Sequence, residues 1–258
     1  MIEATALSDL AGPWLWAGFL VFLRVGAAVS LAPAFGEQTV AMRLRLAVGL
    51  AFTVAILPAV DRQIPAAPDL AAGVFMAVAE ILAGLIFGVL LRLFVLALQT
   101  AGTIAAQSMS LSQIAGGGVV PDPAPAVGHL FVIAGLALAA SGGLHVKLAA
   151  YLIHSYDLVP AGRLPDAQSV IEAGVGSVAR SFALAFSLAL PFVIAALLYN
   201  LILGVINRAM PQLMVTFVGA PLLTGGSLVL LLLSTPFLLG LWVGALDGFL
   251  AAPFAQLP

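Results

Sequence analysis

The stretch from Gly204 to Pro221 reads GVINRAMPQLMVTFVGAP and lies between two long apolar runs. Arg208 falls where the preceding helix should end, so its cation would face the negative end of the helix dipole. Pro211 cannot continue that helix. The stretch therefore predicts a helix end, a polar connection and a second helix. A capped helix end with an interfacial arginine anchor would explain these features, although Asn207 and Gln212 make the string more specific than capping requires.

The composition places the chain among membrane proteins. Hydrophobic residues make up 63% of its 258 residues and charged residues only 8%, whereas about a quarter of residues are charged in soluble domains. The net charge of -2 gives no basic field for nucleic acid. The chain has no cysteine, which excludes disulfides, thiolate metal sites and a cysteine nucleophile.

About six apolar runs are long enough, or nearly long enough, to cross a bilayer core of roughly 30 Å. Continuous apolar runs without alternation favour helices over barrel strands, and Pro236 is expected to bend or split the last run. The sequence predicts an all-α, polytopic helical membrane protein with about six hydrophobic segments. They run approximately over Leu10 to Leu31, Leu46 to Val60, Leu70 to Leu98, Val127 to Ile153, Val178 to Ile206 and Leu213 to Leu246.

The connection from Gln107 to Pro125 differs from the others because it is polar but contains no lysine or arginine. Three glycines, Gly116 to Gly118, give it flexibility, and the prolines that follow stiffen its exit. A loop of this kind could enter a cavity where a charged loop would resist desolvation. The alternative is a solvated loop that joins two helices.

Ionisable residues inside apolar runs need partners or water. Glu80 shares a helical face with Gly84 and Gly88, a small-residue pattern that allows close helix packing. We interpret this face as a packing seam with a buried carboxylate; a proton-carrying glutamate is the rival interpretation. Arg92 is too far along the helix to pair with Glu80, so each needs a partner from another segment. Arg24 lies late in the first run, where snorkelling to an interface is the simplest explanation.

The sequence predicts no enzyme, no metal site and no cofactor. It contains no His-Glu-x-x-His, Gly-x-Ser-x-Gly or Walker A motif. His145 and His154 are nine residues apart, on opposite faces of a helix, and His129 lies elsewhere. An intramembrane enzyme would need a convergent catalytic set, and none is present.

Residues from nearly the whole chain match one family pattern in the right order. The strongest match is the opening stretch together with Leu190-Pro191 and Asn200 before it, and a second is Leu23-Arg24 followed by Ala32-Pro33, Arg43 and Arg45. From end to end the chain therefore resembles the FliR family of flagellar export-gate proteins, whose injectisome counterparts are the T component of type III secretion. Smaller matches are Gln99 to Gly102, His145 and the Ser155-Tyr156 pair with Pro160 and Gly162. The residues that the resemblance marks as an assembly motif are Arg24, Pro33, Arg43, Arg45, Pro191, Asn200, Gly204, Asn207, Arg208, Pro211, Gln212, Gly219 and Pro221.

The resemblance implies a fold and a function. A FliP-like portion, about residues 1–175 with the loop 107–125, would precede a FliQ-like helical hairpin, about 176–258. Together with FliP-like and FliQ-like subunits, and with FlhA/FlhB-type export components nearby, the chain would form the pore through which unfolded flagellar proteins leave the cytoplasm. Its place would be the bacterial inner membrane, as a multi-pass protein of the flagellar basal body.

The resemblance also implies that the uncharged loop plugs the closed pore. Two departures from the family pattern fall in or near this loop: Ser108-Met109-Ser110 replaces a Gln-x-Gly sequence, and extra residues occur around Gly116 to Val119. The implied plug residues are Gln107, Ser108, Met109, Ser110, Leu111, Ser112, Gly116, Gly117, Gly118, Asp122 and Pro123.

A proton-coupled secondary transporter of a small solute is the competing hypothesis, with Glu80 or a histidine as its proton site. Such carriers usually contain inverted halves with broken helices at matching positions. The sequence shows one atypical loop and no matching pair, which favours the export gate.

Overall fold

The computed structural model describes residues 2–37, 39–66, 69–109, 124–209 and 215–253. The described residues contain helices and turns but no strand, which confirms the all-α prediction. The α-helices in chain order are α1 (Ile2–Val29), α2 (Met42–Val60), α3 (Leu70–Ser108), α4 (Ala124–Ser141), α5 (Leu144–Leu158), α6 (Ala167–Ala209) and α7 (Val215–Ala251), with a short 3-10 turn at Asp61–Gln63.

Five of the described helices are long and apolar enough to cross a membrane, and a sixth span results if α4 and α5 are counted together. The sequence predicted the region from Val127 to Ile153 as one run, but α4 and α5 meet there at a bend of 80°. Gly143 causes the break, because its φ of +79° is a left-handed conformation that a helix cannot continue through.

The end of α3 and the course of α7 also differ from the predictions. Helix α3 continues to Ser108 and α4 begins at Ala124, so both ends of the predicted loop, Gln107 and Ser108 and also Ala124 and Pro125, are helical. Helix α7 continues through Pro236 and is not split there. Helix α3 is thus ten residues longer than the predicted run, which ended at Leu98. Within this extension the Thr103 and Ser108 hydroxyls donate to carbonyl oxygens of the preceding turn.

The described helices form two compact units. The first consists of Met1–Leu93, Ala140–Ser177 and Asp247–Pro258. In it α1 packs against α2, and α2 against α5. The Tyr151 hydroxyl donates to the carbonyl oxygen of Phe87 at 3.1 Å, and the two rings meet edge to face. The core of this unit is apolar except for a charged cluster between α1, α3 and α5.

The second unit consists of Phe94–Ala139 and Val178–Leu246. Trp242 of α7 is fully buried, and its Nε1 donates to the Phe94 carbonyl oxygen of α3 at 2.8 Å. Helices α3 and α4 cross where Gly102 lies against the backbone of Gly128, so closely that a Cβ at residue 102 would overlap it. This unit has an apolar core without a buried ion pair among its described residues.

Candidate functional site

Arg24 and Glu80 form an ion pair at the centre of the first unit. Both side chains are completely buried. The Arg24 Nε donates to Glu80 Oε2 at 2.7 Å, and Nη2 donates to Oε1 at 3.0 Å. This two-pronged arrangement is the strongest geometry available to a guanidinium and a carboxylate, and it connects α1 directly to α3.

Further contacts extend the pair to α5 and the turn after it. The Arg24 Nη1 donates to the carbonyl oxygen of Ser155 at 3.2 Å. The Tyr156 ring lies over the guanidinium, with its centroid 3.8 Å from the guanidinium carbon. The backbone N–H of Gly162 donates to Glu80 Oε1 at 2.8 Å. The cluster of Arg24, Glu80, Tyr156 and Gly162 therefore connects four separate parts of the chain.

This geometry decides two of the sequence interpretations. The prediction that Glu80 needs a partner from another segment is confirmed. The snorkelling explanation for Arg24 is wrong, because its side chain has no exposed surface and points to Glu80 instead of an interface. Both Glu80 oxygens already accept hydrogen bonds from fixed donors. This is the arrangement of a structural ion pair and not of a carboxyl group that must bind and release a proton.

A second set of charges holds the connection between α1 and α2. Arg92 of α3 donates to Glu37 Oε1 at 2.7 Å, which confirms that Arg92 also pairs outside its own helix. Arg45 donates to two backbone carbonyl oxygens of the connection, at Glu37 and Val40. The guanidinium of Arg45 is thus occupied within the chain. Arg43 points outward and is exposed.

The predicted glycine seam lies against α1. A Cβ at Gly84 would overlap the carbonyl oxygen of Arg24 and reach 2.9 Å from the Ala27 Cβ. A Cβ at Gly88 would come within 2.9 Å of the Ala28 carbonyl oxygen. The two glycines let the α1 and α3 backbones approach closely enough for the Arg24–Glu80 pair to form.

The residues of the predicted assembly motif are dispersed over the fold. Pro33 is buried in the connection between α1 and α2, and Pro191 lies inside α6. Asn200 and Gly204 are exposed on α6, where Asn207 also lies, and Arg208 is exposed in its last turn. Pro211 and Gln212 lie outside the described residues, and Gly219 and Pro221 belong to α7.

Most of the predicted plug loop lies outside the described residues. Gln107 is exposed near the end of α3, and the Ser108 hydroxyl donates to the Ile104 carbonyl oxygen at 2.8 Å. Met109 follows in a turn and is 2% exposed. Ser110, Leu111, Ser112, Gly116, Gly117, Gly118, Asp122 and Pro123 are the predicted plug residues that the structure does not describe.

Sequence reasoning missed a third ion pair. Lys147 of α5 donates to Asp247 Oδ1 of α7 at 2.7 Å, with both side chains about one third exposed. A signal was present, because Lys147 is the only lysine of the chain and Asp247 interrupts an apolar run. Over the residues for which side chains are described, no group of three or more potential metal ligands comes together.

Residues 15–249 match the family model of the bacterial export proteins, family 1. The chain belongs to this family. The flagellar biosynthetic protein FliR of Caulobacter vibrioides is 33% identical to this family member over 225 residues, which are 86% of the chain and 90% of the relative. The FliR protein of Escherichia coli is 31% identical over 228 residues, or 86% and 84% of the two chains.

The FliR protein of Aquifex aeolicus is 27% identical over 227 residues, which are 85% of each chain. The resemblance to the FliR family is thus confirmed across most of the chain. Among its described residues, five or six apolar helices are long enough to span a bilayer. The molecule is a membrane-embedded bacterial export protein of the FliR family. Neither the family description nor the relatives' names denote an enzyme.

Proposed function

We propose that this protein is a core component of the flagellar type III export gate in the bacterial inner membrane. With FliP-like and FliQ-like subunits it forms the pore through which unfolded flagellar proteins are exported, next to FlhA/FlhB-type components. The family match and the FliR names of the relatives support an export role in flagellar biosynthesis. The names of the relatives do not identify partner subunits, so the proposal that the chain has such partners rests on a feature of the molecule itself.

Helix α6 provides the observation that carries the proposal. Only 11% of its most apolar window of 18 residues is buried within the chain. Large apolar side chains are exposed along one stripe with helical spacing, here called the α6 stripe. Its members are Ile171, Val175, Val178, Phe182, Phe186, Leu190, Ile194, Leu197, Leu201 and Val205.

The α6 stripe is too long for lipid alone to cover. The 34 residue steps from Ile171 to Val205 correspond to about 51 Å along a helix axis. At a tilt of about 40°, the upper end of the range for membrane helices, the stripe would still cover about 39 Å along the normal. The hydrocarbon core is about 30 Å thick. The remaining apolar surface requires protein neighbours, which fits a subunit built into an assembly.

The division into a FliP-like portion and a FliQ-like hairpin belongs to the same proposal. The hairpin, about residues 176–258, corresponds to most of α6 together with α7, two consecutive long helices with little burial inside the chain. Apolar hairpins with small internal contact areas are suited to packing against neighbouring subunits. Exposed Arg208 at the end of α6 contributes to subunit packing in this proposal, and not to contact with the exported chain.

The loop that follows α3 is proposed as the plug of the closed pore. It carries Asp122 as its sole charged residue and three consecutive glycines, so little desolvation opposes its entry into a narrow conduit. Deleting Gly116 to Gly118, or most of Gln107 to Pro121, should leave the complex assembled but leaky to small ions. Membrane conductance of cells or proteoliposomes that contain the complex measures the leak.

The matched control replaces the three glycines with three serines. This variant keeps the length and the neutrality of the loop, so it should stay closed. If the deletions assemble normally and leave the conductance unchanged, the plug assignment is wrong. A complex that no longer contains the other subunits would instead contradict the assembly role that we assign to the rest of the chain.

A further inference from the structure

The N-terminal end of α2 carries a concentration of positive charge that the chain does not neutralise. Arg45 and Arg92 both donate to Glu37, one to its carbonyl oxygen and the other to its carboxylate, so the three residues lie together. Arg43 precedes Arg45 by two residues. We call these four residues the α2 basic patch. Three guanidinium groups against one carboxylate give it a net charge of +2.

Arg43 is the member of the α2 basic patch with donors to spare. It is exposed, and it forms no ion pair or hydrogen bond within the part of the chain that the structure describes. No acidic residue occurs in the first turn of α2, and no side chain caps that turn. Basic residues at the start of a helix are normally unfavourable, because the helix dipole is positive there. An external anion would offset the unfavourable interaction between Arg43 and the positive end of the helix dipole.

An exposed apolar face continues along α2 directly from Arg43. Residues at steps of three and four from Arg43 are Ala47, Leu50 and Val54, and all three are exposed. Leu50 is 48% exposed and Val54 is 72% exposed. Val54 lies 11 residues after Arg43, about 16 Å along the helix axis. This distance equals the depth of one leaflet, half of a core of about 30 Å.

The dimensions of α2 favour lipid over protein as the neighbour of this face. Helix α2 has 19 residues, which correspond to about 28 Å and match the hydrocarbon thickness. The α6 stripe exceeds that thickness, whereas the exposed face of α2 fits within it. The face carries charge only at its Arg43 end. This is the pattern expected of a surface that contacts one lipid headgroup and the acyl chain attached to it.

We propose that this face of α2 binds an anionic phospholipid. The phosphate accepts hydrogen bonds from the Arg43 guanidinium, a group suited to bidentate phosphate binding, and the rest of the α2 basic patch adds attraction. One acyl chain lies along the exposed side chains of Ala47, Leu50 and Val54. The site faces one leaflet, because Arg62 at the opposite end of the helix is preceded by Asp61. The proposal does not depend on the pore function.

Native mass spectrometry of the full-length protein in its purified complex tests the proposal, with phosphatidylglycerol as the probe and phosphatidylcholine for comparison. Arg43→Gln should weaken phosphatidylglycerol binding about fivefold, the effect of one basic residue near a membrane surface. Arg43→Lys should lose less affinity for phosphatidylglycerol than Arg43→Gln does, because it keeps the positive charge. Val54→Asn keeps the charge but interrupts the apolar face, and it should also weaken binding. Because Arg43 and Val54 are exposed, both changes should leave folding intact.

The matched control is Arg62→Gln, which removes another exposed arginine, just beyond the other end of α2, and should not change phosphatidylglycerol binding. Raising the salt concentration should reduce the difference between wild type and Arg43→Gln. Equal phosphatidylglycerol affinity in wild type and Arg43→Gln would overturn the proposal. So would complete displacement by inorganic phosphate, which would indicate a simple anion site. Loss of a protein subunit without loss of lipid in Arg43→Gln would identify a protein interface instead.

Discussion

Removing the charge of Glu80 should destabilise the first unit strongly. Glu80→Gln keeps the shape of the side chain, so no cavity forms, but it leaves the completely buried Arg24 guanidinium without its counter-charge. Breaking a buried pair in this way costs about 3–5 kcal/mol of the free energy of unfolding. In a chain of this size that corresponds to a decrease of roughly 6–20 °C in the melting temperature.

The assay is thermal or denaturant unfolding of the purified protein in detergent, followed by tryptophan fluorescence. Trp16 reports on the first unit, because its Nε1 donates to the Pro65 carbonyl oxygen at 3.1 Å. Glu37→Gln is the matched control. It makes the same chemical change in the Glu37–Arg92 pair, whose side chains are 16% and 24% exposed. Because these side chains keep some contact with solvent, Glu37→Gln should lower the free energy of unfolding less than Glu80→Gln does.

A double variant tests whether the loss of stability in Glu80→Gln comes from the buried charge of Arg24 that is left unpaired. Replacing Arg24 and Glu80 together with methionine removes both buried charges, and apolar replacements of buried pairs are often neutral or stabilising. We therefore expect Arg24→Met/Glu80→Met to recover most of the stability that Glu80→Gln loses. If Glu80→Gln unfolds within about 1 kcal/mol of the wild type, or if the double variant is less stable than Glu80→Gln, the structural role of the pair is refuted.

Gly84→Ala should lower the free energy of unfolding by about 1–3 kcal/mol, because the new Cβ would meet the Arg24 backbone. The control Gly174→Ala lies in open space on α6 and should leave the stability unchanged or raise it. Equal melting temperatures of the two variants would contradict the packing seam. Arg208→Ala should reduce co-purification of FliP-like and FliQ-like subunits in a pull-down, and normal assembly with selective loss of export would contradict its packing role. Hydrogen bonds from the Ser169 N–H and hydroxyl hold the pKa of Asp166 below its usual value. The Asp166 carboxylate therefore stabilises the start of α6 at any pH above the ordinary carboxyl pKa, and this stabilisation is lost as the pH falls through the lowered pKa. Amide hydrogen exchange at Ser169, corrected for intrinsic rates, should lose protection in that range, and an unchanged protection factor would count against the cap.

The helical segments were predictable because length and hydropathy are local properties of the sequence. The need of Glu80 and Arg92 for partners was predictable too, since an ionisable group among apolar residues is costly alone. The identity of those partners was not. Glu80 pairs with a residue 56 positions earlier in the chain, and Arg92 with one 55 positions earlier. Only the packing of α1, and of the connection that follows it, against α3 brings these charges together.

The break between α4 and α5 shows a second limit. Gly142 and Gly143 interrupt an otherwise continuous apolar run, and glycines are tolerated inside membrane helices. Sequence alone does not tell a tolerated glycine from one with φ of +79°. The role of Gly162 is similar: its N–H completes the coordination of Glu80, a contact that requires the turn after α5 to fold back to α3.

Site-specific photo-crosslinking along the α6 stripe tests most directly whether apolar helices of this protein are covered by other export proteins. A photoreactive residue is placed at Leu197, Leu201 or Val205, which are 66%, 63% and 63% exposed, and crosslinks are formed in intact cells. We predict protein adducts that contain FliP-like or FliQ-like subunits. Adducts with lipid alone at all three positions would contradict the account.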